Sequence, residues 1–121
     1  MKRWDLAVCE RAVTVYGKTS QLIICMEEMA ELTKELSKNL RGQDNLPHIA
    51  EEVADVEIML EQVKVMFGLR ETVEDYREAK LLRLSDRINR DAGNDWRTSR
   101  SRKITEETLL RCAPNELTHP E

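Results

Sequence analysis

Aromatic side chains are scarce in this 121-residue chain: two Trp, two Tyr and one Phe. Glycine and proline are scarce as well, at four and three. A β-sandwich or barrel needs frequent turns and strands rich in aromatic and β-branched residues, so this composition favours helix. The three cysteines, Cys9, Cys25 and Cys112, are odd in number and none stands in a C-x-x-C spacing. They read as reduced thiols of a cytoplasmic protein. No apolar run reaches the length of a membrane span, and no sustained apolar segment follows Met1–Asp5 as a secretory signal would require. There is no P-loop, no dinucleotide fingerprint, no H-E-x-x-H and no internal repeat. The net charge of −4 is too small to name a partner and speaks against a general nucleic-acid binder.

Charge is what the chain has in quantity, with 35% of residues charged. Its most informative acids are Glu27, Glu28 and Glu31, answered by Glu52 and Asp55. Residues three or four apart share a helix face, so Glu28 neighbours Glu31 and Glu52 neighbours Asp55. A helix–turn–helix between them brings four carboxylates together. Like charges at that distance repel, so a chain that converges them usually places a cation there.

At roughly 100° per residue, Glu28 borders an apolar stripe of Leu22, Cys25, Met26, Met29, Leu32, Leu36 and Leu40. Glu52 lies within the stripe of the next helix, among Ile49, Val53, Val56, Met59, Leu60, Val63 and Phe67. Asp55 is at its edge. A carboxylate on a buried face is costly unless paired or bound to metal. Two other readings stay open here: E-E-x-x-E as a solvated face, and Glu52 paired with a buried Lys or Arg.

In order, the pattern predicts a helix from about Trp4 to Tyr16, ended by Gly17, with Trp4 and Tyr16 as core aromatics or, alternatively, one of them stacked on a base. A second helix, capped by Thr19 or Ser20, runs to Leu40, and Arg41–Asn45 is the turn. A third runs from Leu46 or Pro47 to Phe67. Its extra apolar residues Ala54, Ile58 and Val65 suggest packing on two sides, the second against another subunit. A fourth runs from Glu71 to Asp91, with Thr72 and Asp75 as a capping box. On it Lys80, Arg83 and Arg87 lie along the edge of an apolar side made by Val73, Tyr76, Leu81, Leu84 and Ile88. They either snorkel to water or form a ridge that holds phosphates. The expected domain is 1–91. Residues 92–121 read as a polar tail with a basic cluster, Arg97, Arg100, Arg102 and Lys103, and a short helix over 105–112.

E-E-x-x-E, about twenty residues, then E-x-x-D, on consecutive helices, resembles the MazG-like nucleotide pyrophosphohydrolases. So do Met26–Leu32, Leu40–Gly42, Ile49–Val56 and Phe67–Leu69. The resemblance covers roughly residues 4–90. It implies an all-α, four-helix bundle, dimeric, with Mg²⁺ (Mn²⁺ as a substitute) on Glu28, Glu31, Glu52 and Asp55. It implies hydrolysis of a nucleoside triphosphate to the monophosphate and pyrophosphate. Glu27 is then a supporting acid or proton acceptor, and Lys80, Arg83 and Arg87 are candidates for the β- and γ-phosphates. The rival readings are a phosphoribosyl-ATP pyrophosphohydrolase and a non-catalytic helical dimerisation module. A carboxylate di-iron bundle wants Glu-x-x-His pairs, and neither His48 nor His119 supplies one.

Overall fold

The computed structural model describes residues 2–93. They form four helices: α1 (Arg3–Tyr16), α2 (Lys18–Leu40), α3 (Leu46–Phe67) and α4 (Arg70–Asp91). There is no strand among the described residues. Of the tail expected over 92–121, residues 94–121, with the basic cluster and the short helix, lie outside them.

Glycines set the boundaries. Gly17 ends α1, its N–H donating to the Val13 carbonyl at 2.9 Å. It also opens α2, its own carbonyl accepting from the Gln21 N–H at 3.2 Å. Its backbone (φ 88°, ψ 157°) lies in a region that side chains with a Cβ avoid. The helix therefore starts directly at Lys18, and Thr19 and Ser20 are within it rather than capping it. Gly68 closes α3 in the left-handed conformation (φ 61°), and the Leu69 N–H returns to the Lys64 carbonyl at 3.0 Å. This tight stop lets α4 begin at Arg70, which puts Thr72 inside the helix and removes it as a cap. Pro47 sits in the first turn of α3, where its missing N–H costs nothing.

The chain divides into two compact units, 1–70 and 71–121. In the first, α2 and α3 form an antiparallel hairpin, and α1 packs mainly against α3. The Cys9 thiol of α1 reaches the Ile58 carbonyl of α3 at 4.0 Å. So α3 is packed on two sides, as its sequence suggests, and within this chain α1 supplies the second. Glu61 ties α3 to the chain beyond it, accepting from Lys64 at 2.9 Å and from Arg70 at 2.7 Å. Burial alone pushes its carboxyl up, but these two cations outweigh that and hold it below the usual range. Of the second unit, α4 is described; Arg77 and Glu74 pair along it at 3.6 Å.

The interior is thin and unusually polar. Its buried apolar residues are Cys9, Cys25, Met59 and Met66; Gln21, Glu35, Asn45 and Gln62 are buried with them in the first unit. Trp4 and Tyr16 are exposed, at 73% and 66%, and are not core residues. On α2 the buried face holds Gln21, Cys25 and Glu35, with Glu28 and Leu32 half-buried. That face is turned by roughly a fifth of a turn from the centre of the apolar stripe, at 100° per residue. Met26, Met29, Leu36 and Leu40 of that stripe are exposed as a result.

Candidate metal centre

Because α2 turns this way, Glu28 lies at the middle of the hairpin seam rather than at its border. Opposite it on α3 stand Glu52 and Asp55, one turn apart. One carboxylate oxygen from each of the three lies within 4.8 Å of the other two. All three are half-buried. Burial raises the Glu28 carboxyl above its ordinary value, and the negative charges of Asp55 and Glu52 push the same way. Glu52 Oε2 is buried without a hydrogen-bond partner.

None of the three acids forms an ion pair with a Lys or Arg among the described residues. That separates this group from Glu61 and Glu35 of the same unit. Glu61 has Lys64 and Arg70, and Glu35 has Lys38 and Asn45. A cluster of carboxylate oxygens with one orphaned atom could serve as a donor set for a hard cation such as Mg²⁺ or Mn²⁺. The reading in which Glu52 pairs with a buried base finds no partner among the described residues.

The remaining expected site residues are placed less closely. Glu31 is exposed and stands outside the three-acid group, its carboxylate 3.9 Å from Lys34 one turn on. Glu27 is exposed on the outer side of α2. Lys80, Arg83 and Arg87 are exposed on α4, in the second unit. No family model, curated protein or solved structure matches the chain. The centre stands on its own geometry.

Sequence reasoning missed the polar residues that flank this group. At the turn end, Asn45 Nδ2 donates to Glu35 Oε2 at 2.6 Å and to the Glu35 carbonyl at 2.9 Å. Lys38 Nζ donates to Glu35 Oε1 at 3.3 Å, and Asn39 Nδ2 to Asn45 Oδ1 at 3.3 Å. At the open end, Gln21 Nε2 donates to Gln62 Oε1 at 2.7 Å, and Gln62 Nε2 faces Met59 Sδ at 3.6 Å. The signal was present as seven-residue spacing: Gln21, Glu28 and Glu35 on α2, Asn45 just before α3 and Glu52 on it, and Asp55 and Gln62 on α3. In the second unit Asn89 is buried, its Nδ2 without a partner among the described residues.

Proposed function

We propose that Glu28, Glu52 and Asp55 hold Mg²⁺ and that the protein is a metal-dependent nucleoside triphosphate pyrophosphohydrolase of the MazG-like kind. The observation that carries the metal is the uncompensated three-acid group with its orphaned Glu52 oxygen. The motif order supports the reaction class.

A bound Mg²⁺ supplies neutralisation of phosphate oxygens and a more acidic water. The chain's own contribution is the placement of acceptors. Two of them, Glu52 and Asp55, are fixed by one helix at i, i+3, and the third arrives from its antiparallel neighbour. Glu28, whose proton is held more tightly than usual, releases it when the cation binds. Glu31, on the same helix face as Glu28, is proposed as a further acid that completes the set with substrate present. Glu27, exposed on the outer side of α2, is proposed as an outer supporting acid rather than a group that touches the metal. The cations Lys80, Arg83 and Arg87 share one face of α4 and are proposed as contacts for the leaving phosphates. A homodimer fits the exposed apolar residues of α2 and α3, among them Met26, Met29 and Ile58.

The test is a panel of ribo- and deoxynucleoside triphosphates and phosphoribosyl-ATP, assayed for pyrophosphate with Mg²⁺, Mn²⁺ or EDTA. Monophosphate and pyrophosphate, lost in EDTA, are the expected result. Diphosphate and orthophosphate would move the attack to the γ-phosphorus and overturn the reaction. No turnover with either metal would leave a helical self-association module, which the exposed apolar residues favour.

A further inference from the structure

The hairpin seam carries three polar layers at equal spacing. Gln21 with Gln62 forms the first, Glu28 with Glu52 and Asp55 the second, and Glu35 with Asn45 the third. Seven residues separate successive layers on α2, about 10 Å along a helix axis. The outer layers pair donor with acceptor across the seam. The middle layer offers acceptors only.

We infer that the two outer layers are positioning residues that fix the axial register of α2 against α3, and so the approach of Glu28 to Glu52 and Asp55. A hairpin shaped only for packing gains more from apolar side chains at such buried positions than from hydrogen-bonded amides, which add little net stability. What a buried amide pair adds is discrimination. Leucine slides past leucine at modest cost, whereas a glutamine moved out of register buries donors and acceptors with nothing to meet them. A single polar pair inside an apolar helix interface fixes register in this way.

Each outer layer guards a different motion. Asn45 sits at the N-terminus of α3 and binds both the main chain and the carboxylate of Glu35, so it latches the turn end. The turn leaves the far end of the hairpin free to rotate or splay. Gln21 and Gln62 close that end, two turns beyond the acids on the α2 side and two turns beyond Asp55 on α3. Gln21 Oε1 is buried without a partner of its own, so the pair is not optimised for stability. Asymmetry among the layers follows: the two that define position are internally paired, and the one that binds is not.

This inference rests on the metal reading of the middle layer, and its test separates the two. The full chain carrying Gln21→Leu and Gln62→Leu together is compared with the parent in three measurements. These are the melting temperature in EDTA, the amide ¹H–¹⁵N spectrum in EDTA, and the Mn²⁺ dissociation constant by electron paramagnetic resonance. The expected result is a melting temperature no lower than the parent's, several sets of amide signals across α2 and α3, and Mn²⁺ bound at least tenfold more weakly. A single parent-like set of signals with Mn²⁺ affinity within twofold would overturn the register role. So would affinity lost only in step with melting temperature, which marks a merely structural pair. If the parent binds no Mn²⁺ yet the variant shows multiple sets, the register role stands and the metal reading fails. Should the double variant not fold, Gln21→Met removes the hydrogen bond at similar volume and is judged by the same three outcomes.

Discussion

Asn45 donates from one nitrogen to two acceptors of the same residue, the carbonyl and the carboxylate of Glu35. Both residues are buried, so the pair is a latch between the last turns of α2 and the first of α3. Asn45→Ala leaves a buried carboxylate and a carbonyl short of a donor, with Lys38 as the remaining partner. The expected loss is about 1–3 kcal/mol, read from the urea midpoint at constant m-value. A loss within the scatter of surface substitutions would reduce the latch to an incidental contact.

Removing charge from the middle layer has two opposed effects. Without metal, Glu52→Gln relieves repulsion and gives Oε2's successor an amide able to donate, so the metal-free variant melts no lower than the parent. On the proposed metal reading, Mg²⁺ at a hundredfold excess over its dissociation constant should stabilise the parent by about 2.7 kcal/mol, and Glu28→Gln, Glu52→Gln and Asp55→Asn should each lose most of that gain. Calorimetry with and without Mg²⁺ checks both signs. An Mg²⁺ effect preserved in all three variants would place the cation elsewhere.

Acidity separates the seam layers in the same way. In EDTA the folded Glu28 holds its proton above the ordinary value of 4.5. Its contribution therefore falls as pH rises from 4.5 through the raised value, because the folded state then gives up a proton the unfolded state has already lost. Glu35, held low first by the Asn45 hydrogen bond, and Glu61, held low against burial by Lys64 and Arg70, act oppositely. Their stabilisation is full above 4.5 and is lost as pH falls through their folded values. Metal-free stability, as far as these three groups set it, peaks close to pH 4.5 and declines on both sides. Glu28→Gln should flatten the neutral side alone, as followed by urea midpoints across pH.

Much of this arrangement was legible because glycine punctuates it. Gly17, Gly42 and Gly68 mark every turn of the first unit, and all four helices end where the pattern put them. The caps were not legible. Thr19, Ser20 and Thr72 have the right chemistry, but a glycine with positive φ had already made each turn, and the helices start upstream. Glu52 was placed correctly because apolar residues flank it on both sides. Glu28 was placed at the border because its stripe was read as the buried face. The buried face is in fact the polar edge of that stripe, since Gln21, Glu28 and Glu35 meet matching groups on α3. Hydrophobic periodicity has no way to register a seam built from hydrogen bonds.

The apolar arc that this rotation leaves in water predicts assembly. Met26, Met29, Leu36 and Leu40 on α2, with Ile58 and Leu60 on α3, are all more than 40% exposed in the single chain. Light scattering at micromolar concentration should give at least a dimer, and Ile58→Glu or Met29→Glu should shift it toward monomer. A monomer unaffected by either substitution would mean that these residues face solvent.

Every apolar side chain buried outright in the first unit carries sulfur: Cys9, Cys25, Met59 and Met66. Sulfur is polarizable and methionine is flexible, so such an interior fits irregular gaps without demanding one shape. Oxidation changes that property at once. A methionine sulfoxide is polar and branched, and at Met59 it would set a strong acceptor beside Gln62, competing for the amide that now faces the thioether. Met26 and Met29 are exposed whereas Met59 and Met66 are buried, so peroxide should take the surface pair first, and the hairpin should loosen only once it opens far enough to admit oxidant to Met59 or Met66.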